Sequence, residues 1–430
     1  MLVLPNAAAV YEADKAAAAL CTRMAQVGFG FDASRAAELA ASLREAETRA
    51  LRACDDAVGR TIRRTKTGGL STTDLEVAFF QDIGAPVFFR STLTGKPSLG
   101  VDAMRGYAAA ANPSLRDLAL GVLEYRRARK IRSTYVEAII CGPDGRVHPS
   151  WLNYGAVSGR WACQDPNLMN LPRRETDPTS ATHDGGVRSL YIASPGHVLV
   201  TFDKKQLEMR VAAYASGDAA MIAACESTDL HAANAAAIFG ELYTGADKAT
   251  KDVLRTLAKS AGFAVCYLAE APTVYARIVA AGQAVTLRQV EAMIKKLRRG
   301  FAGYYAWQEK RLLDCIRTGY TDSPILGRCR WLGHEPAPTE CANFPIQSGA
   351  SDIMNALLPE LVPLVRSECG GAELVAQVHD AAVFDVPERY VDRCAALCGE
   401  LNARPVVLSS SGAPLEAVFG IDMKISERWK

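Results

Sequence analysis

Residues 373–387, ELVAQVHDAAVFDVP, place two apolar runs on either side of a His379–Asp380 pair. That pattern folds as a β-hairpin with the pair at its tip. A second apolar run, HVLVTFD (197–203), reads as a buried strand that ends on Asp203, and residues 205–317 that follow read as mostly helical. Each acid has a local explanation: Asp203 as the N-cap of the next helix, Asp380 as ordinary turn chemistry. Taken together, two strand-end carboxylates in one chain can share a pair of Mg²⁺ ions and support in-line phosphoryl displacement. Mg²⁺ takes one or two carboxylates and leaves its other positions to phosphate oxygens and water.

The helical stretch carries a second constellation. In RTLAKSAGFAVCY, Arg255, Lys259, Phe263 and Tyr267 recur every four residues. On a helix this spacing makes a slowly winding ribbon roughly 18 Å long, two cations followed by two aromatics. It suits a ligand with a triphosphate at one end and a sugar and base at the other. It equally describes an amphipathic helix with exposed bases and buried rings. Earlier, DASRAAELAASLREAETRALRACDDA reads as a long helix capped by Asp32 or Ser34. GRTIRRTKTGGLSTTDL, with Arg60, Arg63, Arg64 and Lys66, is either a solvated loop or a phosphate-contacting tip. EYRRARKIRSTY sets Arg126, Arg127, Arg129, Lys130 and Arg132 on a further helix.

Length and composition narrow the class. The 430 residues allow two to four units of about 100–200 residues. A net charge of +2 does not advertise a nucleic-acid binder, so only local clustering of cations can do so. The 12 cysteines form no C-x-x-C pair, Cys394 and Cys398 coming nearest, and they read as reduced core residues rather than a zinc site. No run of about 20 apolar residues is present, and the N-terminus has no basic leader. The expected setting is cytoplasmic, with no membrane partner.

The motifs resemble those of the family A DNA polymerases, the bacterial DNA polymerase I type. VTFDKKQLEMR is similar to their first catalytic motif, RTLAKSAGFAVCY to their nucleotide-binding helix and QVHDAAVFDVP to their third motif. SGRWACQDPNLMNLPRR, DLHAANAAAIFG and ANFPIQSGASDI are similar to three supporting segments, and all six stand in the family's order. The resemblance implies an α+β right-hand polymerase fold with an antiparallel palm sheet and helical fingers and thumb. The implied divisions are thumb with its lead-in over 1–135, palm over 136–216, fingers over 217–342 and the second part of the palm over 343–430.

The implied function is template-directed addition of dNTPs to a primer 3′ end on two Mg²⁺ ions, with Mn²⁺ as a substitute. The alternative is a catalytically weak or inactive relative that binds primer-template. The resemblance makes Asp203 and Asp380 metal ligands, helped by the Lys204 carbonyl. It makes Arg255, Lys259 and His231 triphosphate contacts, with Lys259 also a proton donor to pyrophosphate. Phe263 lies near the sugar, Tyr267 against the templating position, and Gln206 in the nucleotide site. Glu208 closes the space of a 2′-hydroxyl. Arg160, Asn343, Gln347 and His379 reach the primer end, and Arg63, Arg64 and Lys66 the DNA backbone.

Several positions depart from the family pattern. Ala381 stands where Glu is usual, Lys204-Lys205 where Tyr-Ser is usual, Leu268 where Gly is usual, and Thr339 where a basic residue is common. The two lysines either contact DNA or triphosphate or point to solvent. Thumb-like sequence begins almost at residue 1, so no proofreading domain is expected, and a separate exonuclease or processivity factor is an expected partner of a monomeric enzyme. By analogy, a compact polymerase without nucleases suggests a phage or mobile element, and the expected setting is the cytoplasm of a bacterial cell or a phage-infected host.

Overall fold

The computed structural model describes residues 7–87, 90, 95–172, 186–227, 229–266, 268–280, 285–409 and 413–429, except for the side chains of 260–266 and 280. The chain forms two units by contact. One comprises residues up to Phe29 with His148–Asn170 and Ala193–Glu427. The other comprises Gly30–Val147, Leu171–Ile192 and the last residues from Arg428.

The first unit is organised by a four-stranded antiparallel sheet in the order Ile421–Ser426, His197–Lys204, Ala381–Pro387, Glu373–Val378. The hairpin and the strand ending near Asp203 are thus the expected ones, and they are neighbours. The central strand runs Ala381 opposite Asp203 through Pro387 opposite His197. Leu199, Val200, Phe202, Val383, Phe384 and Val386 are fully buried, and the Phe202 and Phe384 rings lie 6.4 Å apart. A two-residue slip would reposition the Asp203 end of the strand against the hairpin tip, and a one-residue slip would turn this apolar set to the wrong face, so burial fixes the register.

The 31-residue helix Pro338–Glu368 starts with Pro338 in its first turn, where the missing N–H is not needed, and tolerates Pro345, Pro359 and Pro363 within it. It is buried along most of its length and packs on Leu207–Ser216, Val391–Asn402 and the N-terminal helix Ala7–Val27. A second apolar cluster is built from the helices between residues 209 and 307, with Met221, Leu230, Ile278, Val290 and Tyr304 at its centre. Residues 205–317 are largely helical, as the spacing predicts.

Residues 7–29 belong with this sheet unit rather than with the rest of the expected 1–135 division. Side chains explain the attachment. Arg328, only 3% exposed, donates to Asp14 at 2.7 and 2.8 Å and to the fully buried Asp352 at 3.1 Å. Asp352 in turn accepts from Ser323 at 2.5 Å and from the Leu326 amide at 3.3 Å. Arg23 is bound to Glu373.

In the second unit the helix Ala33–Val58 is capped by Asp32, whose carboxylate accepts from the Arg35 amide at 2.9 Å, and is ended by Gly59 at φ 74°. It packs against Pro113–Lys130, and Gly121 permits the approach: a Cβ there would lie 2.7 Å from the Cys54 sulfur. The core holds Phe79, Met104, Tyr107, Leu118 and Val122. The described cysteines of both units are free thiols, most of them buried, and burial pushes Cys21, Cys54 and Cys225 up to about 12, which makes them inert core residues. No helix among the described residues is long and apolar enough to cross a membrane.

Asp352→Ala strands the buried Arg328 with one partner on the N-terminal helix. The expected loss is about 3–5 kcal/mol, measured as a lower urea midpoint, with Asp352→Asn losing less because its one amide oxygen can still accept from both Ser323 and the Leu326 amide.

Candidate active site

The register puts the two acids at one end of the sheet. Asp203 lies opposite Ala381, one residue past Asp380, and the Lys204 amide donates to the Asp380 carbonyl at 3.0 Å. The tip is turned by His379 in the left-handed region at φ 54°, a conformation a non-glycine residue adopts at a cost. Gln377, buried, holds that turn by donating from Nε2 to the His379 carbonyl at 2.5 Å. Burial pushes the Asp380 carboxyl up to about 6; the Arg160 charge opposes this, while the Asp203 carboxylate adds to it. Two carboxylates at one edge of the sheet, Asp203 exposed and Asp380 largely desolvated, suit a hard divalent cation. Among the described residues no three His, Cys, Asp or Glu side chains converge on a metal position. A two-carboxylate donor set is one that a hard cation can use when its other positions go to phosphate oxygens and water.

Beside Asp380 lies a pocket lined by Arg160, Met169, Ser351, Asn355, Gln377 and His379 among others. Arg160 sits on a tightly held turn. Gly159, at φ 80°, has no room for a side chain, since a Cβ would lie 2.6 Å from Arg328 Nε. Buried Asn355 accepts from Trp161 Nε1 at 2.7 Å and donates to the Gly159 carbonyl at 3.1 Å. From this turn the Arg160 guanidinium donates to Glu208. Glu208 is in the first turn of Leu207–Ser216, entered through Gln206 at φ 50°. Burial and the Asp380 charge push the Glu208 carboxyl up to about 7 even with the guanidinium against it. Asn343 and Gln347, four apart on Pro338–Glu368, continue the stripe that Ser351 brings to the pocket, and the Ser351 hydroxyl donates to the Gln347 carbonyl.

The cationic helix is Lys248–Cys266. Arg255 is bound by both Asp229 oxygens, at 2.7 and 3.2 Å. Asp229 also caps Leu230–Phe239, accepting from the amides of His231 and Ala232 at 3.0 Å each. Arg255 thereby holds the carboxyl of Asp229 below its usual range. His231 is lowered by burial and by the charges of Lys259 and Arg255, so these three groups share one neighbourhood. Lys259 is exposed. The side chain of Phe263 and all of Tyr267 lie outside the described residues.

One expectation is corrected. Lys204 goes neither to a phosphate nor to solvent. Strand alternation turns it away from the face of Asp203, and it is buried with Nζ donating to the Phe419 carbonyl at 3.3 Å. Burial lowers it to about 8. Lys205 is bound to Asp422 at 2.9 Å. In the second unit, Arg64 is occupied by Asp55 at 2.7 Å and by the Ile62 carbonyl, whereas the side chains of Arg63 and Lys66 are exposed. Arg60, Arg126 and Arg132 are likewise engaged, with Asp74 and Asp82, the Leu99 carbonyl, and Glu47 respectively. The sequence reading did not single out Asp229, Gln377 or Asn355. Asp229 carries a signal, an Asp immediately before a helical run; the other two carry none beyond their neighbours.

Known proteins resemble this chain in sequence and in fold. The family model for DNA polymerase family A matches residues 36–430. Thermostable DNA polymerase I of Thermus aquaticus is 30% identical over 370 residues, which cover 82% of this chain and 41% of that protein. DNA polymerase I of Pseudomonas aeruginosa is 26% identical over 374 residues, covering 84% and 38%. The chain thus spans about two-fifths of the length of these relatives. Among solved structures, the POL domain of Pol1 from M. smegmatis in complex with DNA primer-template and dNTP shares the fold, with a TM-score of 0.78 at 22% identity over 96% of this chain and 69% of that one. With a match running from residue 36 to the last residue, the chain belongs to DNA polymerase family A.

Proposed function

We propose that this chain extends a DNA primer along a template, adding dNTPs by in-line phosphoryl transfer. The observation that carries the reading is the ladder register that sets Asp203 and Asp380 side by side next to the Arg160 turn. Asp203 and Asp380 would hold two Mg²⁺ ions, with the Lys204 carbonyl as a further ligand. When bound, such a metal pair activates an attacking oxygen and stabilises a leaving one.

The chain's own residues do the rest. Arg255 and His231, tied together through Asp229, and the exposed Lys259 receive the triphosphate. Lys259 Nζ gives a proton to the departing pyrophosphate, as a positioned amine can. Phe263 serves the sugar and Tyr267 the templating base, the roles their positions in the motif imply. Glu208, with Gln206 at the helix entry, fills the space a 2′-hydroxyl needs. Arg160, Asn343, Gln347 and His379 read minor-groove acceptors at the primer end, which look alike across base pairs and so report pairing geometry rather than sequence. Arg63 and Lys66 contact duplex phosphates from the second unit, which acts as the thumb, while Arg64 holds its loop together. The sheet unit supplies palm and fingers.

Primer extension tests the reading. Asp203→Asn and Asp380→Asn should each lower extension by at least about 10²-fold, the scale of losing one preorganised electrostatic group, with primer-template binding retained in EDTA. Near-normal extension by either variant sinks the metal assignment. Arg255→Ala removes a charged hydrogen-bond donor, a loss of about 1.5–3 kcal/mol. Steady-state kinetics should show the dNTP KM rising roughly 10- to 100-fold, with a smaller change in kcat.

A further inference from the structure

We propose that Glu208 holds Arg160 while no DNA is bound, and that the primer terminus must displace it. Glu208 then sets how firmly the primer end is gripped before any nucleotide arrives. The inference rests on the polymerase reading above and adds a coupling between two residues that the reading treats separately.

The geometry limits what Arg160 can do. Its backbone is fixed: Asn355 binds the Gly159 carbonyl and Trp161, and Arg328 packs where a Gly159 side chain would be. The guanidinium can therefore change partners only through its own torsions. In this structure its partner is the Glu208 carboxylate. Both side chains keep some exposure, 33% and 19%, so an incoming duplex can reach the pair. Glu208 does not need the arginine for its place, because its helix turn is built from the Gln206 carbonyl and the buried Leu207 and Met209.

The exchange is unequal. A guanidinium bonds a carboxylate more strongly than the neutral N3 and O2 acceptors of a minor groove, because with the carboxylate both partners carry charge. Part of the affinity of Arg160 for the primer end is therefore offset by what it gives up. A correctly paired terminus presents its acceptors in fixed positions and can win the guanidinium. A mispaired terminus displaces these acceptors, and Arg160 stays with Glu208. The residue that fills the 2′ space thereby also sharpens discrimination against a bad primer end.

A double-mutant cycle on primer-template affinity tests this. Labelled primer-template is titrated by fluorescence anisotropy, without dNTP, in EDTA and at fixed salt. The proteins are the full chain, Glu208→Gln, Arg160→Ala and the double variant, with Glu208→Ala as a second replacement. Removing the carboxylate should tighten binding about three- to tenfold when Arg160 is present, the lower range of coupling between contacting side chains. In the Arg160→Ala background it should change binding less than about twofold, within the margin of additivity. Equal tightening in both backgrounds would mean a general charge effect and overturns the proposal, as does no tightening with Arg160 in place. Absence of any primer-template binding by the unaltered chain overturns the polymerase reading itself.

Discussion

The antiparallel ladder between His197–Lys204 and Ala381–Pro387 is the constraint on which the rest depends. It joins segments about 180 residues apart in the chain and is fixed by burial: Leu199, Val200 and Phe202 on one strand and Val383, Phe384 and Val386 on the other have no solvent-facing alternative. With that register set, the ends of the strands carry their polar residues to one edge. Asp203 meets the Asp380 tip whatever the acids themselves prefer. The apolar core thus does the positioning, and the two mutually repelling carboxylates are tolerated because so many apolar side chains hold their backbones together.

Most of the cations singled out in this unit are held by acids or carbonyls of the chain itself. Arg160 faces Glu208, Arg255 faces Asp229, Lys205 faces Asp422, and Lys204 turns inward to the Phe419 carbonyl. This pattern gives physical content to the small net charge. A chain that handles polyanions does not need a large overall excess of cations if its arginines are held on internal carboxylates that a phosphate or a base edge can replace. The same holds in the second unit, where Arg60, Arg64 and Arg132 are spent on acids while Arg63 and Lys66 remain exposed. A low net charge in the sequence therefore leaves the class of partner open.

The hairpin, the strand at 197–203, the capped helix after Asp32 and the helical run through 266 were legible because each rests on a local period or cap. The attachment of Ala7–Val27 to the sheet unit was not, since it depends on Asp14 and Arg23 meeting Arg328 and Glu373 more than 300 residues away. Nor was the direction of Lys204. In sequence it is one of two adjacent cations; in the sheet, alternation sends it into the core and leaves Lys205 outside. Asn355 and Gln377 look like unremarkable polar residues in their strings, and become identifiable only when Gly159 and His379 arrive beside them.

The sequence by itself determined the parts: which segments become strands and helices, which residue types they carry, and through its ordered motifs the family. Those properties follow from periodicity and backbone preference over short spans. Only the tertiary structure decided the partners, that Asp203 stands by Asp380, that Arg160 rests on Glu208 and that Asp229 binds Arg255. Pairing between distant segments is settled by the packing of the apolar faces that lie between them, and no stretch of sequence contains that information alone.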